Sequence, residues 1–333
     1  MKRIEWIDSL KGYGILCVTL GHLACNIFLE TYIYSFHMFL FFFLSGLLHN
    51  KSDYNIKDFI AKKTRTILVP FLFWNIASLF AGLILNITIL ESIRDFLLLD
   101  GEVCWNAPIW FLLLLYMTEI LYFFIDDFKI SNQLIVIVLL FLFWMFIPGK
   151  NVFLKVNILP VCLLFYMFGG LTKKYYIFHL NSRDKTKKMM LASIILFATN
   201  VLFGVFLNKR ISFTGADFGN VLYCGVAAMA GVLFYVNIFK TIDFLKNNVV
   251  LQILGKNSLI IMATQYWAFN FFDFISYNTV KISVWHYRST LKAVFLSIIT
   301  IFIILTFVQI LKKLGLKYRW IKTICTYAGI NIE

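Results

Sequence analysis

The chain has 333 residues, of which 61% are hydrophobic and only 14% charged, with 37 phenylalanines and a mean hydropathy of +0.82. An ordinary soluble domain has about a quarter of its residues charged, so this composition excludes that class and describes a polytopic membrane protein. The net charge of +14 does not call for nucleic acid as a partner, because the positions of the lysines and arginines account for it.

Ten apolar stretches of roughly 16 to 24 residues, each near the length that crosses ~30 Å of hydrocarbon, can be marked. They lie at 11 to 29, 31 to 49, 67 to 90, 108 to 125, 132 to 148, 156 to 172, 189 to 208, 219 to 239, 257 to 276 and 291 to 311. Most are apolar all round, as helices buried in a bundle or facing lipid are. The expected fold is an all-α membrane protein with about ten transmembrane helices, a single domain over 1 to 333 with no separate soluble domain. When the loops are assigned alternately to two sides, twenty-three of the lysines and arginines fall on the side of the N-terminus and eight on the other. Cytoplasmic loops carry the excess of Lys and Arg, so both termini are expected in the cytoplasm and the chain in the plasma (inner) membrane. Glu5 and Asp8 interrupt the first apolar run and no small-residue cleavage site follows, so it reads as a retained span rather than a signal peptide.

Residues 3 to 49 read as a helical hairpin with a short turn near Leu29 to Thr31. His22 precedes that turn and His37 follows it by similar lengths, so both imidazoles are expected roughly 10 to 12 Å below it. Ionisable groups at one depth in hydrocarbon are a functional-site hypothesis. Lys11 precedes His22 by almost three helical turns, which places the two on one face roughly 16 Å apart. One face thus presents a cation at the cytoplasmic rim and an imidazole deep inside. A coenzyme A thioester has a matching form, with phosphates at one end and an acyl group at the tip of a pantetheine arm of about that length.

The loop at 50 to 66 can form a short amphipathic helix over 57 to 67 with Phe59, Ile60 and Ile67 turned to the bilayer. Lys62, Lys63 and Arg65 then meet either anionic lipid headgroups or a phosphate-bearing ligand. The outer loop at 91 to 107 holds Glu91, Asp95, Asp100 and Glu102. In the fourth stretch Trp110 suits the outer interface, and Glu119 falls close to mid-membrane, where a carboxylate is paired, protonated or functional. The ninth stretch opens with Asn257 or Ser258 as an N-cap after a flexible Gly255; Gln265 and Asn270 then enter apolar surroundings and read as interhelical hydrogen-bond partners. Pro70, Pro108, Pro148 and Pro160 fall near expected helix ends. The six cysteines have no CxxC spacing and read as small apolar filler, with neither a disulfide framework nor a metal site.

Four segments, EWIDSLKGYGILCVTLGH, YSFHMFLFFFLSGLL, PIWFLLLLYMTEI and LGKNSLIIMATQYW, resemble in order the landmarks of the acyltransferase family 3 membrane proteins. The resemblance implies ten or so transmembrane helices and transfer of an acyl group, usually acetyl from acetyl-CoA, to hydroxyls of cell-envelope glycans. Carried over residue by residue, it implies His22, His37 and Glu119 as catalytic, Lys11, Lys62, Lys63 and Arg65 as contacts of acetyl-CoA, and Asp8, Ser45 and Trp110 as substrate contacts. Many members have arginine where this chain has Lys11, and lysine keeps the charge but not the bidentate fork. Many also have histidine near Gln265, so an acid/base role there is absent. On this reading His22 acts as general base, His37 orients the acceptor or shares its proton, and Glu119 holds an imidazole tautomer or binds a sugar hydroxyl. Acetylation of His22 itself is a compatible two-step variant. The expected partners are a glycan or lipid-linked glycan and membrane lipids, with homo-oligomerisation left open. The reading from another class is a transporter or flippase for an envelope precursor, in which His and Glu relay protons; a scaffold or sensor would leave the histidines facing different helices.

Overall fold

The computed structural model describes residues 4–23, 25–51, 54–84, 105–147, 152–175, 183–281 and 288–332. Glu91, Asp95, Asp100, Glu102, Cys104 and Pro148 lie outside the described residues. Those described form helices and no strand; one isolated bridge joins Ser212 to Asp217. Helices satisfy their own backbone groups, as lipid requires. Six helical segments among the described residues are long and apolar enough to cross a membrane: Ile27–Leu47, Ile56–Gly82, Ala107–Ile125, Phe153–Lys174, Val221–Thr241 and Thr290–Lys317. Shorter or more polar helices underlie the remaining marked stretches, namely α1 (Glu5–Gly21), Ile130–Met145, Arg183–Val201 and Ser258–Val280.

The hairpin differs from the expected one. Leu29 to Thr31 does not turn but lies inside α2 (Ile27–Tyr34), and α1 ends earlier, at Gly21. Asn26 starts α2 by accepting the Phe28 N–H at 2.8 Å. Glu30 can sit within this helix because Arg210 and Arg288 compensate its charge. A second break at Ser35 and Phe36 separates α2 from α3 (His37–Leu47). His22 is therefore the residue that caps the C-terminus of α1 and His37 the first residue of α3, rather than two mid-helix positions. The first helix also begins six residues earlier than expected, which sets Lys11 nearly two turns inside it rather than at its rim.

Glycines hold both histidine-bearing helices against their neighbours. A Cβ on Gly12 would overlap the Leu251 carbonyl oxygen, and one on Gly255 would overlap that of Asp8. Gly255 thus serves close packing of α1 on the helix Val249–Lys256, not flexibility. Gly46 and Gly169 do the same between α3 and the helix Leu159–Tyr175, against Tyr166 and Phe43 carbonyls. Small residues let helix backbones approach where lipid supplies no hydrophobic drive.

The amphipathic helix after α3 is present as α4 (Ile56–Lys63), but its apolar side faces inward. Phe59 is buried against Phe123 and His49, and Ile67 is buried as well. From α4 the chain runs through a π-helical turn, Thr64–Leu68, into α5 (Val69–Ile84). Pro70 is therefore within a continuous helix and not at its end. The wider turn precedes it, with the Val69 N–H donating to Thr64 O, and accommodates the ring. Asn257 stands at the cap position of Ser258–Val280, yet its side chain caps nothing and its amide donates back to Ile253 O at 2.8 Å. Gln265 is fully buried, and neither its amide nitrogen nor its oxygen has a hydrogen-bond partner among the described residues, contrary to the interhelical role expected for it.

Loops that alternation assigns to one side do meet. Lys240 lies over Trp6, Ser9 donates to Lys246 O at 3.0 Å, and Asp126 and Asp127 pair with Lys174 and Lys51. At the opposite end the Asn26 N–H donates to Thr290 Oγ1, and Glu30 joins Arg210 and Arg288.

Candidate active site

One cavity of about 400 Å³ runs beside α1. Its wall on that helix is Lys11, Ile15, Val18 and His22, a spacing of four, three and four residues that marks one helical face. Along α3 it meets His37, Met38, Phe41 and Ser45, and along Ser258–Val280 it meets Ser258, Leu259, Met262 and Tyr266. The segment from Pro108 into α6 (Trp110–Ile125) supplies Trp110, Phe111 and Leu115. A polar loop adds Arg210, Ser212 and Thr214. That loop is closed by two backbone hydrogen bonds between Ser212 and Asp217, and Phe213 stacks on Trp110 with centroids 5.8 Å apart. Lys209, hydrogen-bonded to Asp217 at 2.6 Å, holds that carboxyl below the usual carboxylate range.

The two histidines meet at one end of the cavity around Tyr34. His37 packs edge-on to the Tyr34 ring with centroids 4.9 Å apart, and the Tyr34 hydroxyl is 3.5 Å from His22 Nδ1. The His37 Nδ1–H donates to Ile33 O at 2.8 Å. A main-chain carbonyl can only accept, so this bond fixes the tautomer and leaves Nε2 as the lone-pair nitrogen of a neutral ring. The turn between α2 and α3 makes this bond, since it returns Ile33 O to the first residue of α3. His22 Nδ1 shares a hydrogen bond with the Tyr266 hydroxyl at 3.0 Å, and either atom can be the donor.

Of the residues expected to act together, Lys11, His22, His37, Ser45 and Trp110 all line this cavity. Asp8, Lys62, Lys63, Arg65 and Glu119 are not among its lining residues. Glu119 is buried and forms an ion pair of 2.5 Å with Lys63. It therefore holds neither imidazole, whose Nδ1 atoms are taken by Ile33 O and Tyr266. Lys62 donates to the Tyr54 hydroxyl at 2.7 Å, and Arg65 is exposed. Asp8 contributes its carbonyl to the contact with Gly255. The described cysteines, Cys17, Cys25, Cys162, Cys224 and Cys325, are free and buried, and no group of potential metal ligands is found among the described residues.

Sequence reading missed Tyr34, Tyr266, Arg210, Ser212 and Thr214. Tyr34 stands three residues before His37, and Tyr266 lies in the segment LGKNSLIIMATQYW beside Gln265, so both carried a positional signal. Arg210 carried none beyond its charge.

A family model described as an acyltransferase domain, that of acyltransferase family 3, matches residues 4–311. The chain belongs to acyltransferase family 3. It is a membrane acyltransferase with several apolar helices, and the matched range contains every residue that lines the cavity. No curated protein and no solved structure matches it. Family membership makes acyl transfer, rather than transport, the chemistry to be derived from the cavity of this acyltransferase.

Proposed function

We propose that this acyltransferase moves an acetyl group from cytoplasmic acetyl-CoA to a hydroxyl of a cell-envelope polysaccharide or its lipid-linked precursor. The observation that carries this reading is one cavity that Lys11 lines at one level and His22 roughly 16 Å further along the same helical face, where His37 joins it from α3. Lys11 meets the phosphates and the thioester reaches His22 and His37. With the N-terminus cytoplasmic, as the distribution of basic residues favours, the donor enters from the cytoplasm. Lys62 and Arg65, on α4 and the turn after it, stand outside the cavity and are left to meet phosphates, while Lys63 is held by Glu119.

His37 is the general base. Its Nε2 takes the proton of the acceptor hydroxyl as that oxygen attacks the thioester carbonyl carbon. The tetrahedral intermediate collapses, the C–S bond breaks, and the thiolate receives the proton back from Nε2–H and leaves as free CoA thiol. His22, hydrogen-bonded to Tyr266, orients the acceptor or stabilises the oxyanion. This reading gives the base role expected of His22 to His37, whose proton position a backbone carbonyl fixes. Ser45 and Trp110 contact substrate from the cavity walls. Incubating the purified acyltransferase with acetyl-CoA and envelope glycan is expected to release CoA thiol and place acetyl esters on the glycan, read by NMR. Thiol release that does not depend on the glycan, with no ester formed, would refute the proposal.

A further inference from the structure

The histidine end of the cavity carries a cation that acyl transfer leaves unused. Arg210 lines the cavity, and its guanidinium lies 4.0 Å over the ring of Tyr34. Since Tyr34 also meets His37 with centroids 4.9 Å apart, guanidinium and imidazole are less than about 9 Å from each other. Arg210 is held in place from behind. Its Nε–H donates to Glu30 Oε1 at 2.6 Å, and Arg288 Nη1 donates to Glu30 Oε2 at 3.2 Å. Glu30 is 5% exposed, so it anchors the guanidinium as a buried carboxylate. Two arginines share that one carboxylate, which leaves the cluster with a net charge of one, and nearby Lys209 is already compensated by Asp217.

The position of Arg210 discriminates among anions. The diphosphate of coenzyme A lies a pantetheine's length from its thioester, which suits Lys11 and not a cation beside the imidazoles. An oxyanion stabiliser must stand about 3 Å from the carbonyl oxygen, whereas Arg210 is stacked on Tyr34. What remains is an anion on the acceptor, about one sugar ring from the reacting hydroxyl. A planar guanidinium fork matches a carboxylate, and one net positive charge matches one carboxylate. Ser212 and Thr214, from the same loop, bring hydroxyls to the same wall.

We propose that this end of the cavity binds an acidic sugar, with Arg210 recognising a carboxylate one ring away from the hydroxyl that is acetylated. The acetylation part rests on the function proposed above; the carboxylate site does not. The test uses the purified full chain with methyl glucuronide and methyl glucoside, which differ in carboxylate against hydroxymethyl. Binding and CoA thiol release are measured separately. The wild type is expected to bind the glucuronide at least about tenfold more tightly. Arg210→Gln should abolish that preference, Arg210→Lys should keep part of it, and the KM for acetyl-CoA should stay unchanged. Since Arg210→Gln removes one partner of Glu30, the double variant Arg210→Gln with Glu30→Gln, checked for its thermal midpoint, shows that any loss is not misfolding. Equal binding of the two glycosides by wild type, a preference that survives Arg210→Gln, or a raised KM for acetyl-CoA would each overturn the proposal. A preference that depends on Arg210 without any thiol release would uphold the carboxylate site and remove the acetyl-transfer reading.

Discussion

The first helix contributes to two polar clusters on different faces, each largely removed from solvent. On one, Tyr13 shares a hydrogen bond of 2.7 Å with Tyr235, which shares another of 2.8 Å with Tyr32. The rings of Tyr13 and Tyr235 pack at 4.7 Å, and Phe36 packs on Tyr235 at 4.5 Å, so the cluster is closed on itself. On the other face His22 and His37 are each satisfied at Nδ1 and border the cavity. Lys63 and Glu119 form a third cluster, closed like the tyrosines by its own ion pair. Polar residues within the bundle are thus no sign of chemistry by themselves. The distinguishing property is that His22 and His37 border the cavity.

Variants can break this contrast, and the largest effect belongs to the open cluster. His37→Ala removes the base and is expected to lower acetyl transfer by about 10²–10⁴-fold at matched folded protein. In the closed ion pair, Glu119→Gln leaves Lys63 without its carboxylate and is expected to destabilise the protein by about 3 kcal/mol, with Glu119→Gln/Lys63→Met recovering much of it. A double-mutant cycle on thermal unfolding in detergent measures that coupling. Lys11→Met should raise the KM for acetyl-CoA about tenfold, an effect of about 1.4 kcal/mol, with Lys11→Arg near wild type. Tyr235→Phe removes the hydroxyl shared by Tyr13 and Tyr32, at an expected cost of about 1 kcal/mol in stability and no change in turnover.

Much of the helical framework was legible because lipid admits few alternatives: every marked apolar stretch overlaps a described helix. The cavity face of α1 was legible as well, since Lys11 and His22 follow from helical spacing alone. The turn was not. Glu30 and Thr31 look like loop residues locally, and only Arg210 and Arg288, remote in the chain, make Glu30 acceptable inside a helix. Phe59 and Ile67 were given the right amphipathic helix and the wrong direction, because periodicity reports a face without saying what covers it. The partner of Glu119 and the placement of Arg210 are tertiary facts. No local pattern announces them.

The base assignment is tested most directly by CoA thiol release from acetyl-CoA with the glycan acceptor, compared among wild type, His37→Ala and Tyr235→Phe at matched folded protein. The expected result is glycan-dependent release by wild type and Tyr235→Phe, and a loss of at least about 10²-fold in His37→Ala. Release by His37→Ala at the wild-type rate would contradict it.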